Sequence, residues 1–221
     1  NKKIFEEVGI EIINSTGFYK TPFMPDYVST ASVEELAQIM LEDIAKGAKV
    51  IGEIGTSKNE WTNDEHKVFE ATVIAQKKTN VVIITHTTLG TLIKEQVDFF
   101  LENGINPKKV IISHVALSND LDAIRYALQK GFNVAFDTIG KTKYLPDETR
   151  VQFMKTLIQE GYMHQLLMSM DITRQSHLKK NGGVGYAYLL DTFIPMLEQA
   201  GISEDTITTI TSKNFTEILE A

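Results

Sequence analysis

Four side chains that could bind a metal or move a proton stand at the ends of short apolar runs in this 221-residue sequence. Glu53 and Asp171 are carboxylates among apolar neighbours, and His86 and His114 each directly follow a β-branched run. A buried carboxylate is costly unless a cation is paired with it. One histidine in such a place is more often a structural residue, but four such residues at equivalent positions indicate one site. Two imidazoles and two carboxylates suit Zn²⁺, with Mn²⁺ as the alternative, and the lack of Cys favours a catalytic site.

The segments that carry these residues alternate between two periodicities. Short, mostly apolar runs predict strands buried on both faces, at residues 10–15, 50–54, 81–85, 110–113, 133–137 and 166–171. Helical spacing predicts helices at residues 32–46, 62–78, 91–103, 121–130, 147–160, 186–200 and 203–219. No break in composition divides the chain, so we expect one α/β domain over residues 1–221.

Two α/β folds fit this alternation. A doubly wound sheet has a glycine-rich turn after its first strand, whereas the glycines of residues 181–186 follow no strand directly. Polar residues that recur at the carboxyl ends of strands favour a TIM-type (βα)₈ barrel, because those ends meet at one mouth. We therefore expect Glu53, His86, His114 and Asp171 to converge there. The sequence provides about six strands, whereas a closed barrel of this type needs eight.

Several motifs occur in a fixed order around these residues. They are EIGTS at 53–57, THT at 85–87, ISH at 112–114, FDTIGK at 136–141, YLPDE at 144–148 and SMDITR at 169–174 with Ser176-His177. Together they resemble the phosphotriesterase family of the amidohydrolase superfamily. Within it, they are most similar to the phosphotriesterase homology proteins, which have Glu where the phosphotriesterases proper have a carboxylated Lys. The resemblance implies a (βα)₈ barrel with a two-metal site at the carboxyl ends of its strands.

The resemblance also implies a role for each candidate residue. Glu53 would bridge two divalent metal ions, and His86 and His114 would bind the second ion. Asp171 would bind the first ion and act as the catalytic proton acceptor. The implied protein is a binuclear-metal hydrolase whose metal-bridging hydroxide attacks an ester, lactone or phosphoester. Two close metal ions acidify a shared water and polarise a substrate oxygen, which agrees with this chemistry.

One part of the family's pattern is missing. Its first strand supplies a His-x-His pair to the first metal, and none of the five histidines here has that spacing. Glu53, His86 and His114 are therefore expected to hold one metal, while Asp171 and Glu53 alone are too few ligands for the other. The motifs match from the family's third strand, so the first two strands are expected to be missing from this chain. Further residues, or a second chain in a homodimer, would then fill the gap beside the edge strands.

Residues in three loops are candidates for substrate binding. Their cations would bind an anionic small-molecule substrate, and their aromatic rings would form an apolar wall. The alternative is that these are solvated charges and packing residues. They are Phe18 and Tyr19 after the first run, Lys141, Lys143, Tyr144 and Arg150 after the fifth, and Arg174, His177, Lys179 and Lys180 after the sixth. Gly182, Gly183 and Gly185 would let the last of these loops move over the mouth.

Charge and composition exclude several classes of partner. Lys and Arg total 22 and Asp and Glu total 29, which gives a net charge of −7 without any basic run. Nucleic acids and anionic membranes are therefore poor partners. No apolar run approaches the roughly 18 residues of a spanning helix, and no signal-peptide pattern is visible, so a cytoplasmic location is expected. The sequence begins at Asn1 rather than Met, which weakens that expectation.

Two other functions stay open at this stage. One is a catalytically impaired barrel or fragment that acts as a binding protein. The other is a sugar-phosphate enzyme that works through a Schiff base, for which Lys141 is the one approximate candidate. Metal content and turnover discriminate these alternatives from the hydrolase.

Overall fold

The computed structural model describes residues 2–220, which form one sheet of six parallel strands. The strands are β1 Ser15–Thr16, β2 Val50–Thr56, β3 Val82–Thr87, β4 Val110–Ser113, β5 Asn133–Phe136 and β6 Leu166–Met168. They lie side by side in chain order, and a helix separates each strand from the next. This repeated unit is that of a TIM-type barrel, which confirms the predicted fold class.

The helices of the described residues fill the segments between and after the strands. They are α1 Lys2–Val8, α2 Val33–Ala45, α3 Asn63–Thr79, α4 Ile93–Glu102, α5 Leu121–Gln129, α6 Asp147–Gln159, α7 Ile194–Gln199, α8 Glu204–Thr208 and α9 Asn214–Glu220. Two π-helical turns, Leu189–Phe193 and Thr209–Lys213, run directly into α7 and α9. Between residues 2 and 220, no helix has the length and apolar character that a membrane span requires.

Capping residues explain where the two helices around β2 begin. Ser32 accepts a hydrogen bond from the backbone of Glu35, and the Glu35 carboxylate accepts one from the backbone of Ser32. Thr62 and Glu65 form the same reciprocal pair at the start of α3. The buried Glu65 also accepts hydrogen bonds from the backbone and hydroxyl of Ser57. It therefore fixes α3 to the carboxyl end of β2.

The prediction of a first strand over residues 10–15 is wrong for most of that range. Only its end takes part in β1, which pairs with the start of β2. Ile10, Ile12 and Ile13 are 61%, 37% and 36% exposed. Their apolar side chains suggested a buried strand, but none of the described strands covers them. Residues 10–13 therefore stay outside the sheet.

Each edge strand has a partner on one side only within residues 2–220. β1 pairs with β2, and β6 pairs with β5. The sheet is thus open between β1 and β6, as expected from six predicted strands. Backbone N–H and C=O groups at such edges need other partners, since unpaired groups are costly to bury.

Two apolar clusters hold the sheet in place. The larger one lies between the strands and the surrounding helices, and its members include Ile83, Phe100 and Phe132. The smaller one, which we call the inner apolar cluster, lies near the amino ends of the strands and is covered by α9. Its members are Val50, Val82, Ile111, Ala135, Leu167 and Ile218. The opposite, carboxyl end of the sheet carries the polar residues.

Candidate metal centre

All four predicted metal ligands line one cavity of about 940 Å³ at the carboxyl end of the sheet. Glu53 lies within β2, His86 near the end of β3, and His114 directly after β4. Asp171 does not end a strand as predicted, because β6 stops at Met168. The chain instead turns at Asp171, which has a left-handed φ of 43°. The expected convergence is therefore present, although the predicted end of the last strand is not.

Glu53 lies between the two imidazoles. Its Oε1 is 3.2 Å from Nε2 of His114, and its Oε2 is 3.6 Å from Nδ1 of His86. The pairing register of β2 with β3 shifts between Ile51 and Ile54, on either side of this residue. Such irregularities redirect a side chain, which explains how a glutamate inside an apolar strand faces the cavity.

Asp137 orients the ring of His114. The carboxylate lies 2.8 Å from Nδ1 of His114 and also accepts the backbone N–H of the same residue, at 3.1 Å and 3.2 Å to its two oxygens. An imidazole that donates from Nδ1 to a carboxylate keeps Nε2 for a metal. Nε2 is the atom that faces Glu53. Asp137 and His114 are both buried, so this orientation is well defined.

The ring of His86 is oriented by a hydroxyl. Thr88 donates its hydroxyl proton to the carbonyl of Thr56 at 2.7 Å, and the same oxygen lies 3.1 Å from Nε2 of His86. Thr88 must then accept the Nε2 proton, which leaves the Nδ1 lone pair of His86 on the side of Glu53. The hydroxyl of Tyr19 lies 3.2 Å from Nδ1. We infer that His86 would bind a metal through Nδ1 and His114 through Nε2.

The surroundings shift the ionisation of all three groups. Burial alone would raise the pKa of Glu53, but its contacts with the two imidazoles, chiefly the hydrogen bond from His114, lower it to about 2. Burial lowers the pKa of His86, so this ring is neutral near pH 7. Burial also lowers that of His114, but the charge and hydrogen bond of Asp137 outweigh it and raise the pKa to about 11. Without a metal, a proton on His114 therefore neutralises part of the negative charge of Asp137 and Glu53.

This donor set fits a divalent cation. One ligand atom from each of Glu53, His86 and His114 lies within 4.8 Å of the other two. Ligands about 2.1 Å from a tetrahedral Zn²⁺ are about 3.4 Å apart, close to the two contacts of Glu53 with the imidazoles. Three protein ligands leave a position open, as in catalytic zinc sites. Among the described residues, this is the group of His, Asp and Glu that could hold an ion.

Asp171 lines the same cavity but lies outside that group. Its carboxylate forms a salt bridge with Lys141, which also donates a hydrogen bond to the Asp171 carbonyl at 2.7 Å. These two contacts fix the position of the Asp171 carboxylate beside Lys141. The role predicted for Asp171 as a ligand and proton acceptor stays a prediction.

Six of the residues predicted to bind substrate line the cavity. They are Tyr19, Lys141, Lys143, Tyr144, Arg174 and His177. The ring of Tyr144 is half exposed at the rim and packs under the ammonium group of Lys143, 4.8 Å from the ring centre. His177 also supports its own loop, since its Nδ1 accepts the backbone N–H of Thr173 at 3.3 Å. Contact with a substrate stays a prediction for each of them.

Two neighbours of these residues are not at the rim. Phe18 is buried in the larger cluster and packs edge-on against Tyr27, so it is a packing residue. Arg150 is fully buried against Asp147 and does not belong to a solvated cationic rim. His66 and His164, the two remaining histidines, are exposed, and His66 stacks on a neighbouring indole ring.

Sequence reasoning missed the residues that orient the ligands. Asp137 ends a buried run and stands in the same place relative to β5 as His114 does relative to β4, a signal that could have identified it. Thr88 gives no comparable signal. Its role depends on contacts with both Thr56 and His86, which the order of residues does not reveal.

The phosphotriesterase family matches residues 1–219 of the chain. The chain belongs to this family. It is 41% identical over 218 residues to the phosphotriesterase homology protein of Escherichia coli strain K12, with 96% of this chain and 75% of that protein covered. A crystal structure of the Escherichia coli protein, complexed with phosphate in its active site, superposes with a TM-score of 0.96 at 40% identity, covering 99% of this chain and 78% of the other.

A more distant relative has a named activity. The aryldialkylphosphatase of Saccharolobus solfataricus is 28% identical over 229 residues, with 96% of this chain and 73% of that protein covered. Relatives of the chain within the phosphotriesterase family are therefore hydrolases. The predicted resemblance is confirmed, both for the family and for the homology proteins within it.

Proposed function

We propose that this phosphotriesterase-family chain is a metal-dependent hydrolase that cleaves an ester, lactone or phosphoester bond. The observation that carries the proposal is the cluster of Glu53, His86 and His114, whose ligand atoms lie within 4.8 Å of one another beside an open cavity. Zn²⁺ is the expected ion and Mn²⁺ the alternative. When bound, such an ion acidifies a water molecule and polarises a substrate oxygen.

The residues around the cluster prepare it for that ion. Asp137 directs Nε2 of His114, and Thr88 directs Nδ1 of His86, towards the same point beside Glu53. Tyr19 stays protonated because burial, followed by the charge of Glu53, raises its pKa above the usual range. Its hydroxyl is therefore a hydrogen-bond donor at the edge of the cavity, suited to a substrate oxygen.

We assign to Asp171 the acceptance of the proton that leaves the attacking water. Its side chain faces the cavity, the salt bridge with Lys141 fixes the position of its carboxylate, and a carboxylate is a common proton acceptor. A second metal between Glu53 and Asp171 would need further ligands, and residues 2–220 bring none to this place. A binuclear centre therefore requires ligands from outside the described residues.

Charge in the cavity favours an anionic substrate. Its lining includes four cations, namely Lys20, Lys141, Lys143 and Arg174, whereas its acidic residues are Glu53 and Asp171. This cationic lining stands out in a chain with a net charge of −7. The phosphate in the active site of the Escherichia coli relative supports the same substrate class. Lys and Arg bind phosphate and carboxylate groups through charge-assisted hydrogen bonds.

A substrate screen with and without metal tests the proposal. The purified chain, stripped by a chelator and reloaded with Zn²⁺ or Mn²⁺, is assayed on lactones, carboxylic esters and phosphotriesters, each with and without an anionic group. We expect turnover that the chelator abolishes and the metal restores, with preference for the anionic compounds. Turnover that does not depend on metal would contradict the proposal, as would its absence on every compound under metal saturation.

The alternatives are less well supported. A catalytically impaired binding protein is not favoured, because the relatives are hydrolases and Glu53, His86 and His114 form a group that could hold a metal ion. Schiff-base chemistry needs a neutral amine, whereas Lys141 forms a salt bridge with Asp171. A homodimer and a cytoplasmic location stay predictions from the sequence.

A further inference from the structure

Residues 172–188, which we call the mouth segment, form a wall of the cavity after β6. Backbone hydrogen bonds link the segment to itself, among them Gly183 N–H to the Leu178 carbonyl at 3.1 Å and Gly185 N–H to the His177 carbonyl at 2.9 Å. A Cβ atom on Gly183 would lie 2.3 Å from the His177 backbone, so the loop closes tightly on itself. The segment is therefore a unit with its own internal structure.

One hydrogen bond joins the mouth segment to a distant element of the described chain. The hydroxyl of Tyr188 donates to Oδ2 of Asp147, the first residue of α6, at 3.0 Å. The other hydrogen bonds of residues 172–188 stay within the segment or continue into the helical turn that follows it. The position of this cavity wall therefore depends on a single polar contact and on the apolar packing beside it.

Asp147 is itself fixed by a buried guanidinium group. Arg150 has no exposed surface, and its Nη1 donates to Oδ1 of Asp147 at 2.8 Å and to the Leu145 carbonyl. Its Nη2 lies 3.3 Å from the hydroxyl of Thr138, the residue that follows Asp137. The backbone N–H of Gly140 completes the shell of Asp147 at 3.2 Å. The Arg150–Asp147 pair thus connects the mouth segment to the loop after β5, next to Asp137, which orients His114.

The two loops touch where this contact is made. A Cβ atom on Gly140 would lie 3.0 Å from the ring of Tyr188 and 3.2 Å from the Val184 side chain. Gly140 has a φ of 80°, so glycine is favoured there on backbone grounds as well. The loop that carries Lys141 and the mouth segment that carries Arg174 and His177 are thereby held in direct contact.

We propose that the buried Arg150–Asp147 pair positions the mouth segment through the Tyr188 hydroxyl, and that Tyr188 is a positioning residue for substrate binding. Loss of the hydroxyl frees the segment to open while the metal ligands, which lie on β2, β3 and after β4, stay in place. The segment then presents Arg174 and His177 to substrate for a smaller fraction of the time. This last step rests on the proposed function, whereas the positioning of the segment does not.

Limited proteolysis tests the positioning without any substrate. Trypsin can cut the mouth segment at Arg174, Lys179 and Lys180, which are exposed. We expect Tyr188→Phe to be cut there about five times faster than the wild type, the ratio that corresponds to the loss of one hydrogen bond. The matched control is Tyr186→Phe, which removes a hydroxyl from an exposed tyrosine of the same segment. It should be cut at the wild-type rate.

A second measurement separates positioning from a general loss of stability. The melting temperature of Tyr188→Phe should stay within about 2 °C of the wild type, because one partly exposed hydrogen bond contributes little to global stability. In steady-state hydrolysis, KM should rise about fivefold while kcat changes less than about twofold, since the metal ligands are untouched. Unchanged cleavage of Tyr188→Phe, or faster cleavage spread over the whole chain, would overturn the proposal. If the wild type hydrolyses nothing, the proposed function fails but the cleavage result still decides the positioning.

Discussion

The two ends of the same sheet differ in chemistry. At the amino end, the inner apolar cluster and α9 form a dry contact in which Ile111 and Leu167 are almost fully buried. At the carboxyl end, the strands present Glu53 and two histidines to an open cavity. Within the sheet, apolar packing therefore occupies the amino ends of the strands, whereas the reactive groups occupy the carboxyl ends. This division lets the reactive end hold buried charges that would weaken a fold if they were spread through its core.

Charged side chains at the two ends of the sheet also have different partners. Lys109, which precedes β4 at the amino end, is buried and donates a hydrogen bond to the Ile218 carbonyl near the end of α9, at 3.2 Å. A cation at a helix carboxyl terminus is a stabilising arrangement. Glu53, in contrast, is 31% exposed in its side chain and faces solvent between two imidazoles. Its charge is available to a ligand, whereas that of Lys109 is used by the fold.

The largest effect is expected from Asp171→Asn at the carboxyl end. The variant keeps the shape of the side chain but removes the proton acceptor, so kcat should fall roughly 10²–10⁴-fold. The fold should be retained, because Asp171 lies outside both apolar clusters. Steady-state hydrolysis and thermal unfolding measure the two effects.

Lys141→Gln is the control for that variant, because both changes break the same salt bridge. It should mainly raise KM for an anionic substrate and leave a larger part of kcat than Asp171→Asn does. If the two variants lost kcat equally, the ion pair rather than proton acceptance by Asp171 would account for the activity.

Ile111→Ala, at the amino end of the sheet, is expected to lower stability and to leave the metal site unchanged. Ile111 is 2% exposed in the inner apolar cluster, so its truncation should lower the free energy of unfolding by roughly 2–5 kcal/mol. Metal affinity of the folded protein should be unchanged. Ile10→Ala, at a residue that is 61% exposed, is the matched control and should change stability little. Denaturant unfolding measures the change in stability, and metal titration measures the affinity. A loss of metal affinity in Ile111→Ala would show that the amino and carboxyl ends of the sheet are not independent.

Asp137→Asn should have an intermediate effect confined to the metal. The amide no longer provides a charged acceptor for Nδ1 of His114, so metal affinity should fall roughly 10–100-fold. Asp191→Asn, at an exposed position, is the matched control and should bind metal as the wild type does. Competition with a chromophoric chelator measures the affinities. Equal metal affinities of the two variants would show that Asp137 does not contribute to metal binding.

The effect of pH on metal binding and on metal-free stability is expected to be gradual rather than a single loss. The pKa of His114 is raised from 6.5 to about 11 in the folded, metal-free chain. Its contribution to stability is therefore complete below about pH 6.5 and is lost as the pH rises through about 11. A metal must displace that proton, so apparent metal affinity should rise up to about tenfold per pH unit between pH 7 and 9. Affinity independent of pH in this range would mean that His114 is not a ligand.

The sequence was most informative where residue type and strand position coincide. Glu53, His86 and His114 could be predicted because each interrupts or follows a buried run, and parallel strands bring such positions to one end of a sheet. The fold class followed from the regular alternation of strands and helices. Asp171 was predicted to line the cavity and does so, but β6 ends at Met168, earlier than the apolar run suggests, and Asp171 itself has a left-handed φ.

Other features depend on contacts between distant elements. Arg150 resembled a solvated cation at the start of a helix, yet it is fully buried, and its Nη1 and Nη2 atoms donate hydrogen bonds to Asp147, the Leu145 carbonyl and Thr138. Residues 10–13 looked like a strand, but a strand forms only where a neighbour can pair with it. Neither outcome can be derived from periodicity, since both depend on which partner lies across the fold.

The number of metal ions bound per chain tests the central claim most directly. The chain is equilibrated with excess Zn²⁺, desalted and analysed by mass spectrometry of the metal, alongside Glu53→Gln and the exposed control Glu60→Gln. We predict one tightly bound ion per chain for the wild type and for Glu60→Gln, and loss of that ion from Glu53→Gln. No bound ion in the wild type, two ions per chain, or full retention by Glu53→Gln would contradict a single three-ligand centre formed by Glu53, His86 and His114.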